Sequence, residues 1–195
     1  MYIVYLTLML TNLSAAFLIL AWYVWRGLPC GDKKAWVPAF VVTGAVALLT
    51  GLHMTFTWPM PGVYNMAFGE PSVMVGVLFL AGSWGIAKCW DFTPLSVYAF
   101  IAGIAVMIIG IQFIHLNISQ EPLAAGVGLL MSGFAGVLTL PVTFFWSRIR
   151  PLGRFFQIIL VLLLIVAAVL WAYTAYNTYW DHMSSFGSFT PIYAR

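Results

Sequence analysis

Seven of the eight basic residues in this sequence stand in three short stretches: Arg26 to Lys34, Lys88, and Arg148 to Arg154. Between those stretches the chain runs without a charge for about the 20 residues that an α-helix needs to cross a bilayer. Such runs leave few solutions, because a backbone surrounded by lipid must satisfy its own hydrogen bonds. The fold class read from the sequence is therefore all-α: a polytopic transmembrane bundle of about six helices, in one domain over residues 1–195. The expected helices cover residues 3–25, 37–57, 71–87, 95–116, 123–146 and 155–180.

Composition closes the alternatives. Only 7% of residues are charged and the mean hydropathy is +1.00, against roughly 25% charged in a soluble domain. The net charge of +3 is concentrated in loops, so it reads as a topology signal and not as a nucleic-acid footprint. By the positive-inside rule the odd-numbered loops are cytoplasmic and both termini extracytoplasmic, in a multi-pass protein of the cell membrane. Met1 opens directly on an apolar run with no basic region before it, which reads as a retained first helix and not as a signal peptide. Cys30 and Cys89 have no metal-ligand spacing, and on cytoplasmic loops they are expected to be unpaired thiols.

Punctuation sets the loops. Trp58 to Gly69 contains Pro59, Pro61 and Gly62, which forbid a continuous helix and suggest an apolar loop over one mouth of the bundle. Ser147 to Arg154 reads as a basic loop, and Pro141 inside the fifth run as a kink. Tyr173, Tyr176, Tyr179 and Trp180 form an interfacial aromatic belt at the end of the sixth.

Helices 2–3 and 4–5 read as two hairpins that echo each other in parallel orientation. His53 closes the second run and Glu70-Pro71 opens the third; His115 closes the fourth and Glu121-Pro122 opens the fifth. Gly82 then follows Glu70 at the spacing with which Gly133 follows Glu121. Packed side by side, His53, His115, Glu70 and Glu121 would meet near the extracytoplasmic face. Two imidazoles and two carboxylates suit iron, copper, manganese or zinc; the imidazoles alone, His53 and His115, suit haem b. Blander roles are open for each residue. A Glu before a helix-starting Pro serves the helix N-terminus, and a His one turn from the membrane edge snorkels. Thr50, Thr57 and Gln112 share faces with the two histidines, as partners for an imidazole or as helix-to-helix hydrogen bonds. Asn12 and Ser14 allow both as well. His182 beside Asp181 reads as solvated.

The segment Thr57-Trp58-Pro59-Met60-Pro61-Gly62-Val63-Tyr64-Asn65-Met66-Ala67-Phe68-Gly69-Glu70-Pro71 resembles the signature of a small membrane-protein family of archaea and bacteria known as a domain of unknown function. The resemblance implies similar length and helix number along nearly the whole chain, and no activity.

The function expected first is a redox or metal- or haem-binding subunit of a larger membrane complex, exchanging electrons with partner subunits or quinone. A small-solute channel or transporter, and a structural subunit without a cofactor, are the alternatives. The expected partners are the lipid bilayer and other membrane subunits or further copies of the chain. No nucleotide, nucleophile-elbow or zinc-protease motif is present.

Overall fold

The computed structural model describes residues 5–26, 34–60, 62–118 and 122–185. Its elements are α1 (Leu6–Trp25), α2 (Val37–Thr57), α3 (Glu70–Lys88), α4 (Thr93–His115), α5 (Pro122–Arg148) and α6 (Arg150–Ser185). A short 3-10 turn, Lys34–Trp36, leads into α2, and a π-helical stretch, Asn65–Gly69, leads into α3. All six helices are long and apolar enough to cross a membrane. The protein is a multi-pass membrane protein, and Arg26, Lys34, Lys88, Arg148, Arg150 and Arg154 gather at one end, called here the basic end.

Each helix packs on its neighbours in the chain, and α1 closes on α6. The result is a ring of six. The tight contacts are within α4/α5, α2/α3, α1/α6 and α5/α6; α1 and α2 touch less, and α3 and α4 only lightly. Burial follows helical spacing: on α6 the core-facing stripe is Leu160, Leu164, Ala167, Trp171 and Ala175.

The two hairpins of the sequence repeat are sealed by glycines seven residues apart: Gly44 and Gly51 against Gly76 and Gly69, and Gly103 and Gly110 against Gly133 and Gly126. The seams correspond atom for atom. A Cβ on Gly51 would lie 2.9 Å from the Gly69 carbonyl oxygen and 2.7 Å from the Val73 nitrogen; one on Gly110 would lie 3.0 Å from the Gly126 oxygen and 3.1 Å from the Leu130 nitrogen. With no hydrophobic force between helices in lipid, such close backbone approach is what holds them. The register corrects the sequence reading: Gly133 pairs with Gly76 and not with Gly82. Glu70 and Glu121, and His53 and His115, are consequently not equivalent positions. The Glu-Pro pairs mark chain entry, whereas the packing register is set by the glycines.

The third tight pair, α1/α6, repeats the same spacing with small residues. Thr7 and Ser14 on α1, and Ala168 and Ala175 on α6, are buried and seven apart. Small-residue spacing thus carries the register of the α2/α3 and α4/α5 hairpins over to the antiparallel pair α6/α1, and gives the ring a threefold pattern.

Three local expectations change. Residues 147–154 are not a loop: only Ile149 separates α5 from α6. Pro151 sits at the start of α6, where its missing N–H costs nothing, and a Cβ on Gly153 would come within 2.8 Å of Trp146 backbone. Pro141 lies inside α5, as the sequence placed it. The Trp58–Gly69 segment is helical from Tyr64 onward, because Gly62 makes the turn at φ +60. Fully buried Asn65 then accepts from Met60 N at 2.9 Å and donates to the carbonyls of Met60 and Gly62. Finally, Cys89 is disulfide-bonded. The sequence has one other cysteine, Cys30, which lies outside the described residues.

Candidate functional site

His53 sits on the last turn of α2, exposed, where the start of α1 reaches it. The Tyr5 hydroxyl lies 2.9 Å from His53 Nδ1, with the two rings edge-on at 5.3 Å. Burial raises the Tyr5 phenol above its ordinary range, so it stays protonated. The Thr57 hydroxyl donates to the His53 carbonyl at 2.7 Å and lies 3.4 Å from Nδ1. Nδ1 is therefore engaged, and Nε2 is the nitrogen left for a ligand or water. Thr50 instead donates to the Val46 carbonyl at 2.7 Å.

His115 is exposed at the last position of α4, and Gln112 beside it is exposed. Glu70 is half-buried and does not cap a free helix start, because the chain is already helical through Asn65–Gly69. Glu121 lies outside the described residues. Among the described residues, no group of three or more His, Cys, Asp and Glu could hold a metal ion. Asn12 donates to the Thr43 carbonyl at 2.9 Å and ties α1 to α2, and Ser14 bonds within α1 at 2.9 Å. These two serve helix packing.

A second feature escaped the sequence reading. On the axis of the ring lies a cavity of about 200 Å³. The odd helices line it in matching rungs: Leu10, Leu13, Phe17, Leu20 and Val24 on α1; Ser72, Val75, Phe79, Gly82 and Ile86 on α3; Leu129, Ser132, Gly136, Thr139 and Thr143 on α5. The even helices add Phe40 and Ala47, Ala99 and Val106, and Leu164 and Trp171. From the level of Leu10 to that of Val24 the cavity runs roughly 20 Å at about 1.5 Å per residue. Its shape is long and narrow, along the helix axes.

The space exists because one hairpin departs from the threefold pattern. Where α1 and α3 place Phe17 and Phe79, α5 places Gly136; where α2 and α6 place Phe40 and Leu164, α4 places Ala99. Most polar side chains in the wall bond within the protein. Ser96 and Thr143 share a 2.7 Å hydrogen bond, and Trp171 Nε1 donates to Ser132 Oγ at 2.9 Å. A wall this apolar favours an apolar occupant.

Family membership is decided along the chain. The model of the family described as protein of unknown function (DUF981) matches residues 1–185. The chain belongs to this family. No curated protein and no solved structure matches it. The DUF981 match covers every helix and both candidate sites, in line with the resemblance read from the Trp58–Pro71 segment, and leaves the function to be argued from the side chains.

Proposed function

We propose that this protein binds one long hydrocarbon chain, acyl or isoprenoid, on the axis of its helical ring, and acts as a lipid-chain-binding protein of the membrane. The observation that carries this reading is the narrow apolar cavity created by Ala99 and Gly136. Moving a chain from lipid into it brings no hydrophobic gain, since the tails are already in an apolar medium. The gain is packing. An empty cavity of 200 Å³ forfeits about 5 kcal/mol at roughly 24 cal/mol per Å³, and a chain that fills it recovers part of that. The wall is predominantly apolar, with a few scattered hydroxyls, which argues against an aqueous path.

The test is native mass spectrometry of protein released from detergent micelles. The expected result is one retained chain-bearing molecule per protein, lost in Ala99→Phe. Retention of none by the wild type, under conditions that keep the fold, would remove the proposal.

A second reading keeps a metal or haem role, in a redox subunit of a larger complex. It is supported by the Tyr5–His53 contact, since a ring held at Nδ1 presents Nε2 as a ligand. His115, Glu70 and Glu121 would join only if partner subunits or a further copy of the chain supplied the missing geometry. Optical spectra and elemental analysis of the purified protein test it: stoichiometric iron, copper, manganese, zinc or haem, reduced in His53→Ala, would support it, and a metal-free, colourless protein would reject it.

We place the basic end in the cytoplasm of a cell-membrane protein, with both termini outside. The disulfide at Cys89 pulls the other way, since disulfides favour oxidising compartments outside hyperthermophiles. The charge bias is given more weight because it rests on seven residues in three connections and acts during insertion.

A further inference from the structure

We propose that the chain reaches the cavity sideways from the bilayer, through the seam between α3 and α4; this rests on the lipid-chain reading above. Both ends of the cavity are blocked by rings. At the far end Phe68 stands edge-on to Phe113 at 5.8 Å and to Trp171 at 6.1 Å. At the basic end Tyr23 meets Phe40 at 5.4 Å and Phe92 at 6.4 Å. Two interlocked aromatic plugs close an axial route, which leaves the wall.

The wall is not uniform. The glycine seams bring backbones into contact in α2/α3 and α4/α5, and α1/α6 is closely packed, but α3 and α4 touch lightly although only four residues, Cys89 to Phe92, connect them. Both helices line the cavity along its length. Two lining residues at this seam are also nearer the surface than counterparts on other helices. Leu78 of α3 is half-buried, whereas the equivalent Ala135 of α5 and Ala16 of α1 are 3% and 1% exposed. Leu95 of α4 is half-buried, whereas the equivalent Leu160 of α6 is 1% exposed. The axial cavity therefore comes closest to lipid here. A slit between two helices admits a linear chain and rejects a fused ring system of greater width.

The experiment uses full-length protein in lipid nanodiscs and two probes: a diazirine-bearing palmitic acid and a diazirine-bearing geranylgeraniol. After photolysis at timed intervals, mass spectrometry counts label on lining peptides of α1 and α5, which face the axis and not the annulus. In Leu78→Trp and Leu95→Trp labelling rises to its own plateau at least tenfold more slowly than in wild type. In Leu78→Ala the plateau is reached faster. Ile101→Trp, on the lipid-facing side of α4 at 60% exposure, leaves the rate unchanged. Should the tryptophan variants fail to fold, the alanine variant decides alone. Unchanged rates in the seam variants with normal final labelling would overturn the lateral entry and leave the cavity reading intact. No label on α1 or α5 lining peptides in the wild type would overturn both. Which probe labels more tells an acyl from an isoprenoid source, and either supports the route.

Discussion

Gly103 and Gly133 meet so closely that a Cβ on Gly103 would lie 2.5 Å from the Gly133 carbonyl oxygen. The same contact recurs between Gly44 and Gly76, at 3.1 Å. Backbone cannot yield as a side chain can, so these positions are closed to any larger residue. Gly103→Val is expected to destabilise the protein by about 2 kcal/mol or more, the upper part of the overpacking range, measured as a fall in the thermal midpoint in detergent. Gly82→Ala, where the nearest atom to a new Cβ is Phe40 Cδ1 at 3.8 Å, is expected to leave the midpoint unchanged or raise it slightly.

Ala99 faces the cavity where the other hairpins carry Phe40 and Leu164. Ala99→Phe restores the bulk that the pseudo-threefold pattern lacks. Chain binding is expected to fall at least tenfold, while the lipid-stripped protein melts higher, because the new ring fills space that is otherwise empty. Both changes are read from one preparation, by chain retention and by a melting curve. A variant that loses binding and also melts lower would mean the side chain does not fit the cavity.

At the basic end, Asp91 accepts from Thr93 N at 2.9 Å and from Thr93 Oγ1 at 2.8 Å, and so anchors the start of α4. These bonds, first the backbone one, then the hydroxyl, with the Arg148 charge a smaller contribution, hold its carboxyl below the ordinary 3.8. A depressed carboxylate stabilises the fold above its unfolded value and loses that contribution as pH falls through the folded value. Stability is therefore expected to decline below about pH 4, and Asp91→Ala to remove that part of the decline. The same variant should lower stability near neutral pH only slightly, by less than about 1 kcal/mol, because the carboxylate is exposed to solvent. Melting curves from pH 3 to 7 check both.

The six helices were legible because lipid demands long apolar runs and the charges stand near or beyond helix ends; helix bounds from Val37 to Thr57 match residue for residue. The α5–α6 connection was misread because Arg148, Arg150 and Pro151 have the composition of a loop, while Pro151 is also a good helix starter. The hairpin repeat was visible but out of register. Its chemistry-bearing residues sit at helix ends, where spacing is loose, and its true signal is the seven-residue glycine spacing. The Tyr5–His53 contact joins residues from two helices with no local pattern between them. The cavity was hidden for a simple reason: Leu13, Val75 and Leu129 face it with the same apolar side chains that other positions turn to lipid.

The central claim is that a hydrocarbon chain occupies the axis of this ring, and an experimental density map of the protein in lipid nanodiscs tests it most directly. The account predicts continuous tubular density between Phe17, Val75 and Ser132, extending through most of the distance from Leu10 to Val24. A cavity that is empty, or one closed by inward movement of α3 and α4, would contradict it.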